Sequence, residues 1–204
     1  MTEVLSRPHD RGRPRQFDEK QALKDAITVF RQYGYEAAGT DRLAHAMGMK
    51  KQSIYRTFGN KSALFDRCFD TYHADITHAL KASLRDRPNL AAALKASLLD
   101  AVDFFHKAQA QDMACMIIVI AAASPDKAGR SQRALRDIRT TLGKLLAPYL
   151  DKDHGKSDEL AMLLVAFFQS LAVSARTGAS EAELTAMADL YFKSLQHLTG
   201  DETT

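Results

Sequence analysis

Residues 39–61 read GTDRLAHAMGMKKQSIYRTFGNK, and the interpretation of the whole chain starts from this stretch. The spacing of its apolar residues predicts a helix from Asp41 to Met47 and a second helix from Lys51 to Phe58. Gly48 follows the first helix, and glycine adopts the left-handed backbone that ends a helix at little cost. Ile54 and Phe58 are four residues apart, so they share the inner face of the second helix. The outer face is left to Lys51, Gln52, Tyr55 and Arg56.

The chemistry of this outer face suits contact with nucleic acid. Two short helices joined by a tight turn are typical of a helix-turn-helix, whose second helix enters the major groove of DNA. Gln52 can pair with adenine, and Lys51 can reach the acceptors of guanine or a phosphate. The alternative that the pattern leaves open is a small helical hairpin with a solvated basic face.

Three runs of residues carry a resemblance to a known family. They are Gly34-Tyr35, Leu43-Ala44 with Gly48-Met49, and the closing run Ile54-Tyr55-Arg56-Thr57-Phe58-Gly59-Asn60-Lys61. Over about residues 12 to 70 the chain resembles the N-terminal domain of TetR-type transcriptional regulators. The remainder is similar to that family only in length, helical pattern and a few local runs. The resemblance implies a dimeric, ligand-controlled DNA-binding regulator, usually a repressor, that binds a pseudo-palindromic operator in double-stranded DNA.

The expected DNA contacts combine this resemblance with the chemistry of the residues. Tyr55 resembles a family tyrosine whose hydroxyl meets phosphate, and Lys61 can bind phosphate together with the amides that start the next helix. Two positions depart from the family pattern: Ala38-Gly39 replaces a Ser/Thr pair, and Lys50 replaces a capping Ser or Thr. A nearby phosphate would favour the charge of Lys50 at that helix end. The expected contacts are Arg13, Arg15, Gly39, Thr40, Lys50, Lys51, Gln52, Tyr55, Arg56 and Lys61.

The N-terminal end of the chain is basic and the rest is mildly acidic. Residues 1–61 hold 12 Lys/Arg against 7 Asp/Glu, whereas residues 62–204 hold 16 against 18. This asymmetry indicates a polyanionic partner for the N-terminal end. Residues 1–16 contain four arginines with prolines and a glycine, and they cannot form a core. They are expected to form a flexible arm that lays arginines along phosphates or in the minor groove, the alternative being a solvated tail.

The fold class expected for the whole chain is all-α. We expect the basic arm at residues 1–16, a three-helix DNA-binding domain with the helix-turn-helix at 17–61, and a larger helical domain for effector binding and dimerisation at 62–204. In that larger domain, Met113–Ala123 is expected to form a short apolar helix. Ser124-Pro125 is then expected to cap a helix that carries a basic, solvated stripe. The stripe consists of Arg130, Arg133, Arg136 and Arg139.

A small-molecule effector is expected to enter the larger domain, because the family resemblance implies one. The helix from Ser62 to Leu84 is long enough to join the two domains, and by resemblance its tilt would couple the effector to DNA spacing. The alternative for each candidate wall residue is ordinary core packing. The candidate walls of the effector pocket are Tyr72, Leu98, Phe105, Met116 and Phe168.

The last two predicted helices are candidates for a dimer interface. They span Asp158–Thr177, capped by Ser157, and Glu181–Leu198, opened by a capping box of Ser180 and Glu183. Two such helices from each subunit can form a four-helix bundle across a two-fold axis. Internal packing alone is the alternative. The expected homodimer interface consists of Leu160, Leu164, Phe167, Leu171, Leu184, Met187, Tyr191 and Leu195.

The sequence argues against several other classes of protein. Cys68 and Cys115 lie in apolar helical patterns, which favours free buried thiols in a reducing cytoplasm over a disulfide or a zinc site. The polar N-terminus predicts no signal peptide, and the apolar run 113–123 is too short to span a bilayer, so no membrane partner is expected. No catalytic motif, metal site or cofactor site is recognisable. An enzyme, or an architectural DNA-binding protein without an effector, remains an alternative function.

Overall fold

The computed structural model describes residues 18–150 and 154–199, and within those ranges the chain is helical without a strand. The all-α fold class is therefore confirmed, while the expected arm, with Arg13 and Arg15, lies outside the described residues. The N-terminal helices are α1 (Glu19–Ala37), α2 (Thr40–Ala46), α3 (Lys51–Phe58), α4 (Lys61–Leu84) and α5 (Leu90–Ala110). After them come a π-helix (Met116–Ile120), α6 (Ala121–Ala123), α7 (Ala128–Leu146), a 3-10 turn (Ala147–Tyr149), α8 (His154–Arg176) and α9 (Glu181–Thr199).

Helix α1 supports the helix-turn-helix from behind. Asp18 caps it by accepting hydrogen bonds from the amides of Lys20 and Gln21, as expected of an acidic N-cap. Gly34 interrupts the helix with a φ of 78°, a conformation that favours glycine. Beyond this break Tyr35 meets Phe65 of α4 edge to face, with ring centroids 4.9 Å apart. The break thus lets Tyr35 join an aromatic core between α1 and α4.

Helix α4 belongs to both halves of the molecule. Near its start Phe65 packs on Phe30 of α1 at 5.0 Å between centroids, and the Cys68 thiol donates to the Leu23 carbonyl at 3.9 Å. It also packs against α5 and α7. The buried hydrophobic residues of both halves form one continuous core. The expected domain boundary at residues 61–62 therefore stays a prediction.

The segment from Met113 to Lys127 differs from the prediction. Helical structure begins at Met116, not Met113, and its first turn, Met116–Ile120, is π-helical. The preceding backbone is held elsewhere, because the Ala114 amide donates to the Arg31 carbonyl of α1 at 2.9 Å. Ser124 and Pro125 do not cap α7, which begins at Ala128 with Lys127 as its N-cap.

The last two helices are close to their predicted limits. Helix α8 begins earlier than expected, at His154, so Ser157 lies inside the helix and is not its cap. The predicted capping box of α9 is confirmed: the Ser180 amide donates to Glu183 Oε2 at 2.8 Å, and the Glu183 amide donates to Ser180 Oγ at 3.3 Å. These bonds from Ser180 lower the pKa of Glu183. Helix α8 packs mainly on α7, and α9 packs mainly on α5.

Helix α8 contains a long apolar stretch. Its residues Lys156–Arg176 have a mean hydropathy of 1.5 and are long enough to cross a membrane by length and composition alone. Half of that stretch is buried inside the subunit, as in the core helix of a soluble protein.

Candidate DNA-binding surface, effector cavity and dimer surface

The outer face of α3 has the composition predicted for it. Lys51, Gln52, Tyr55 and Arg56 are exposed, while Ile54 and Phe58 are buried. The burial of these two anchors fixes the rotation of α3 about its axis. Four side chains that can donate hydrogen bonds therefore face solvent from one short helix.

The turn before α3 has the expected geometry. Gly48 has a φ of 60°, which lets the chain pass from α2 to α3 through only four residues, 47–50. Gly39 is the N-cap of α2, and Lys50 is the N-cap of α3 without any side-chain capping hydrogen bond. Lys50 is exposed at the positive end of the α3 dipole. A phosphate placed there would meet both the lysine and the free helix amides.

Two polar contacts join α2 to α3 on the exposed surface. The hydroxyls of Thr40 and Tyr55 are hydrogen-bonded at 3.1 Å, and Lys51 Nζ lies 2.5 Å from Asp41 Oδ1. The structure thus brings together Thr40 and Tyr55, which are 15 residues apart. Exposed ion pairs contribute at most about 1 kcal/mol. The Lys51 pair can therefore be exchanged for a contact with DNA at low cost.

Lys61 braces α1 against α4 in the free subunit. Its ammonium donates to the Glu36 carbonyl at 2.9 Å and lies 4.8 Å from the centroid of the Tyr35 ring. The side chain is half-buried, and Asn60 caps α4 beside it. A phosphate contact by Lys61 must therefore form from this position or replace the bond to Glu36.

An apolar cavity of about 150 Å³ lies in the larger half of the molecule. Two of the five candidate wall residues, Phe105 and Phe168, line it, whereas Tyr72, Leu98 and Met116 are buried core residues off the wall. Sequence reasoning missed the remaining wall residues because burial alone does not show which core side chains border a void. They come from α4, α5, α7, α8 and the segment around the π-helix: Ile76, Ala79, Leu80, Ser83, Asp100, Ala101, Phe104, Cys115, Ile117, Ile118, Leu135, Ile138 and Val165.

The two cysteines are buried free thiols, as predicted. Burial raises the pKa of Cys68 to about 12 and also raises the pKa of Cys115. Tyr72 is buried near Cys115, and desolvation holds its pKa well above the ordinary value. All three groups are therefore uncharged at neutral pH. The described residues contain no group of three or more His, Cys, Asp or Glu side chains that could hold a metal ion.

An ion-pair cluster around the buried Lys127 joins the start of α4 to the start of α7. Lys127 Nζ lies 2.6 Å from Ser62 Oγ and 2.8 Å from Asp66 Oδ1, and its side chain is only 6% exposed. Arg130 contacts the same Asp66 oxygen at 3.0 Å and Asp70 at 2.8 Å. Arg130 is thus paired and half-buried, which corrects its assignment to a solvated stripe. The other three arginines of that stripe are exposed: Arg133, Arg136 and Arg139.

A second connection runs from the cavity to α1. Arg31 Nε donates to the Ala114 carbonyl at 3.0 Å, in addition to the bond from the Ala114 amide to the Arg31 carbonyl. The Arg31 guanidinium also lies 5.6 Å from the ring centroid of Phe104, a cavity residue. The next residue after Ala114 is Cys115, which lines the cavity. The backbone next to one wall of the cavity is therefore hydrogen-bonded to α1, the helix that supports α3.

Most of the residues predicted for the dimer interface are packed inside one subunit. Six are buried there, because their stripes face α7 and α5: Leu160, Leu164, Phe167, Leu171, Leu184 and Leu195. Met187 and Tyr191 are half-buried, and the Tyr191 ring stacks on Phe167 at 4.2 Å. Among the described side chains of α8 and α9, the large apolar ones left in solvent are Met162 and Val173, about half exposed, and Leu190, 66% exposed.

Comparison with known proteins places this arrangement in one family. Residues 17–68 match the family described as bacterial regulatory proteins, tetR family. The chain is 30% identical to the HTH-type transcriptional repressor ComR of Escherichia coli (strain K12) over 193 residues, covering 87% of this chain and 89% of ComR. It is 35% identical to the HTH-type transcriptional repressor BdcR of the same organism over 75 residues, covering 37% of this chain and 38% of BdcR.

Solved structures agree with the fold. A cysteine mutant of the TetR family transcriptional regulator CifR, complexed with a 26-bp double-stranded operator DNA, superposes with a TM-score of 0.79 at 22% identity. The match covers 90% of this chain and all but a small part of the other, 99%. The likeness extends from the helix-turn-helix through the helical body, and the ComR match spans most of both sequences. The chain therefore belongs to the TetR family of DNA-binding transcriptional regulators.

Proposed function

We propose that this regulator is a cytoplasmic homodimeric repressor that binds a pseudo-palindromic operator through α3 and is released by a small-molecule effector. DNA binding is proposed from the orientation of α3. Its apolar anchors, Ile54 and Phe58, are buried, while Lys51, Gln52, Tyr55 and Arg56 face solvent. Repression is proposed from ComR and BdcR, both named as transcriptional repressors. Operator binding is supported by the fold shared with CifR, whose structure contains operator DNA.

Dimerisation is proposed from the apolar surface of α8 and α9. Met162, Val173 and Leu190 present large apolar side chains to solvent on these two helices. Exposed apolar surface of this kind is a candidate for an interface with a partner. A second copy would cover it symmetrically and place two α3 helices about 34–36 Å apart, one turn of DNA. We propose Met162, Val173 and Leu190 as interface residues in place of the buried leucines.

Effector control is proposed because two sets of contacts link the cavity walls to the helices of the DNA-binding half. Cys115 and Ile117 form part of its wall, and Ala114 beside them is bonded to Arg31 of α1. Leu135 and Ile138 of α7 form another part, and the same helix begins at the Lys127 cluster on α4. An effector would release DNA by binding more tightly to the arrangement of these helices that DNA disfavours.

Selection of bound fragments from a random DNA pool, at stated salt, tests the proposed function. The full-length protein is expected to enrich one pseudo-palindrome whose half-sites are about one helical turn apart. Replacing Lys51 and Gln52 by Ala should relax the preference at the bases they contact, by about 1–3 kcal/mol for each lost bidentate contact. Enrichment of unrelated sequences, with affinity that collapses as salt rises, would instead favour an architectural DNA-binding protein.

Lys61→Ala is expected to weaken binding to all DNA sequences alike. Loss of one phosphate contact should make the slope of log K against log[salt] shallower by about one unit. Fluorescence anisotropy across a salt series measures this slope. Lys95→Ala, an exposed lysine on α5, is the matched control and should leave the slope unchanged. An unaltered slope for Lys61→Ala would mean that this lysine makes no phosphate contact and only bonds the Glu36 carbonyl.

A further inference from the structure

The cavity has a size that limits its ligand. Its volume is about 150 Å³, and three phenylalanines, Phe104, Phe105 and Phe168, stand on its wall. A protein cavity of about this volume, lined by Leu, Ile and Phe, accommodates one benzene molecule. A ligand that fills the space without moving the helices is therefore about the size of one substituted ring.

The wall also limits the charge of the ligand. Among the described residues that line the cavity, Asp100 is the single charged one, and it is exposed. The negative charge of its carboxylate would repel an anion. Cys115, also on the wall, is held as a neutral thiol because burial raises its pKa. An anion would be desolvated inside without a counter-charge, and a cation would be desolvated while Asp100, the one acidic residue among the described wall residues, stays exposed to water. Both are strongly unfavourable.

One polar group on the wall has no partner. Ser83 of α4 is 7% exposed and lines the cavity, and its Oγ makes no hydrogen bond to any described residue. Its backbone carbonyl, by contrast, is bonded to Arg87 Nε at 2.7 Å. A buried hydroxyl without a partner is uncommon, because both its proton and its lone pairs are removed from water. A ligand oxygen beside Ser83 would satisfy it.

We propose that the cavity binds a small uncharged molecule, built on one ring or an aliphatic body of similar size, with one hydroxyl or carbonyl group that pairs with Ser83. This inference rests on the effector-controlled function proposed above and names the chemical class of that effector. Ser83 lies on α4, the helix that also carries Ser62 and Asp66 of the cluster with Lys127. A hydrogen bond to the ligand would therefore act on the helix shared by both halves of the molecule.

Calorimetric titration of the full-length protein with four one-ring probes tests the proposal. The probes are benzyl alcohol, toluene, benzoate and benzylamine, which share the ring and differ in charge and hydrogen bonding. Benzyl alcohol should bind about fivefold to tenfold more tightly than toluene, the effect of one hydrogen bond. Benzoate and protonated benzylamine should bind at least tenfold more weakly than benzyl alcohol. Tightest binding by either charged probe, or no binding by the two neutral probes, would overturn the proposal.

Two variants distinguish the contribution of the Ser83 hydroxyl to ligand affinity from that of the apolar cavity. Ser83→Ala should bring the affinity for benzyl alcohol down to that for toluene. Ser97→Ala is the matched control, because Ser97 is a buried serine of α5 whose hydroxyl is bonded to the Leu94 carbonyl. It should leave both affinities unchanged. An undiminished advantage of benzyl alcohol over toluene in Ser83→Ala would remove Ser83 from the site. Circular dichroism checks that both variants fold.

Operator binding is measured separately, by anisotropy without and with benzyl alcohol. Failure to bind a selected operator would contradict the proposed regulator while leaving the calorimetric result intact. Operator binding by a protein that prefers a charged probe would leave the regulator in place and overturn the proposed ligand class.

Discussion

Leu190→Arg is expected to produce a folded monomer whose affinity for a full operator is about 10²- to 10⁴-fold lower. A dimer holds its second DNA-binding domain near the second half-site once the first is bound, and a monomer loses this high effective concentration. Leu190 is the most exposed large apolar residue of the described chain, with 66% of its surface in solvent. An arginine there stays solvated in the isolated subunit, so the fold should survive. In the proposed dimer the same charge would be buried against a second copy without a partner, which opposes association.

Light scattering after size exclusion gives the mass, and anisotropy gives the affinity for a full operator and for a single half-site. Half-site affinity should change little, because α3 is untouched. Leu99→Arg is the matched control: Leu99 is also exposed but lies on α5, outside the proposed surface. It should remain dimeric. A dimeric Leu190→Arg with unchanged operator affinity would exclude this part of α9 from the interface.

Substitution of the leucines predicted from the sequence would give a different result. Leu184 and Leu195 are buried in the single subunit, where α9 packs against α5. Arginine at either position would place an unpaired charge in the core and unfold the subunit. Loss of dimers in those variants would therefore say nothing about the interface. The choice between Leu190 and Leu184 depends on which side of α9 already has a partner within the subunit.

The N-terminal helices could be predicted from sequence because local interactions define them. The observed α3 has the predicted bounds, Lys51–Phe58, since buried Ile54 and Phe58 set its inner face and the chain leaves it at Gly59. Gly48 adopts the left-handed backbone expected of a glycine at the end of a helix. The capping box of Ser180 and Glu183 is equally local. In each case the residues that decide the structure lie within a few positions of one another.

The rest could not be predicted because distant residues decide it. The helix expected from Met113 starts late because Ala114 is bonded to Arg31, 83 residues away. The start of α7 depends on Lys127, which reaches Asp66 on α4. An apolar stripe shows that Phe105, Met116 and Leu164 are buried, but it does not show whether they border a void, the core or another subunit. The cavity and the dimer surface are properties of the assembled helices.

The second large expected effect is a loss of stability when the Lys127 cluster is broken. Asp66→Ala should destabilise the protein by about 3 kcal/mol, since removing one member of a buried ion pair costs about 3–5 kcal/mol. The variant leaves the Lys127 ammonium buried with the Ser62 hydroxyl, and the rings of Tyr35 and Phe65 lie 5.2 and 5.4 Å away. These neighbours offset part of the loss, which places the expected value at the lower end of that range.

Urea unfolding at fixed protein concentration measures the loss, because the stability of a dimer depends on concentration. Asp70→Ala is the matched control: Asp70 is exposed and pairs with Arg130, so its removal should cost no more than about 1 kcal/mol. Adding Lys127→Met to Asp66→Ala should recover much of the stability, because the remaining buried charge is then gone. If Asp66→Ala costs as little as Asp70→Ala, the cluster is a solvated contact. In that case Lys127 could not hold the start of α7 against α4, and the connection from the cavity to the DNA-binding half would rest on Arg31 and Ala114.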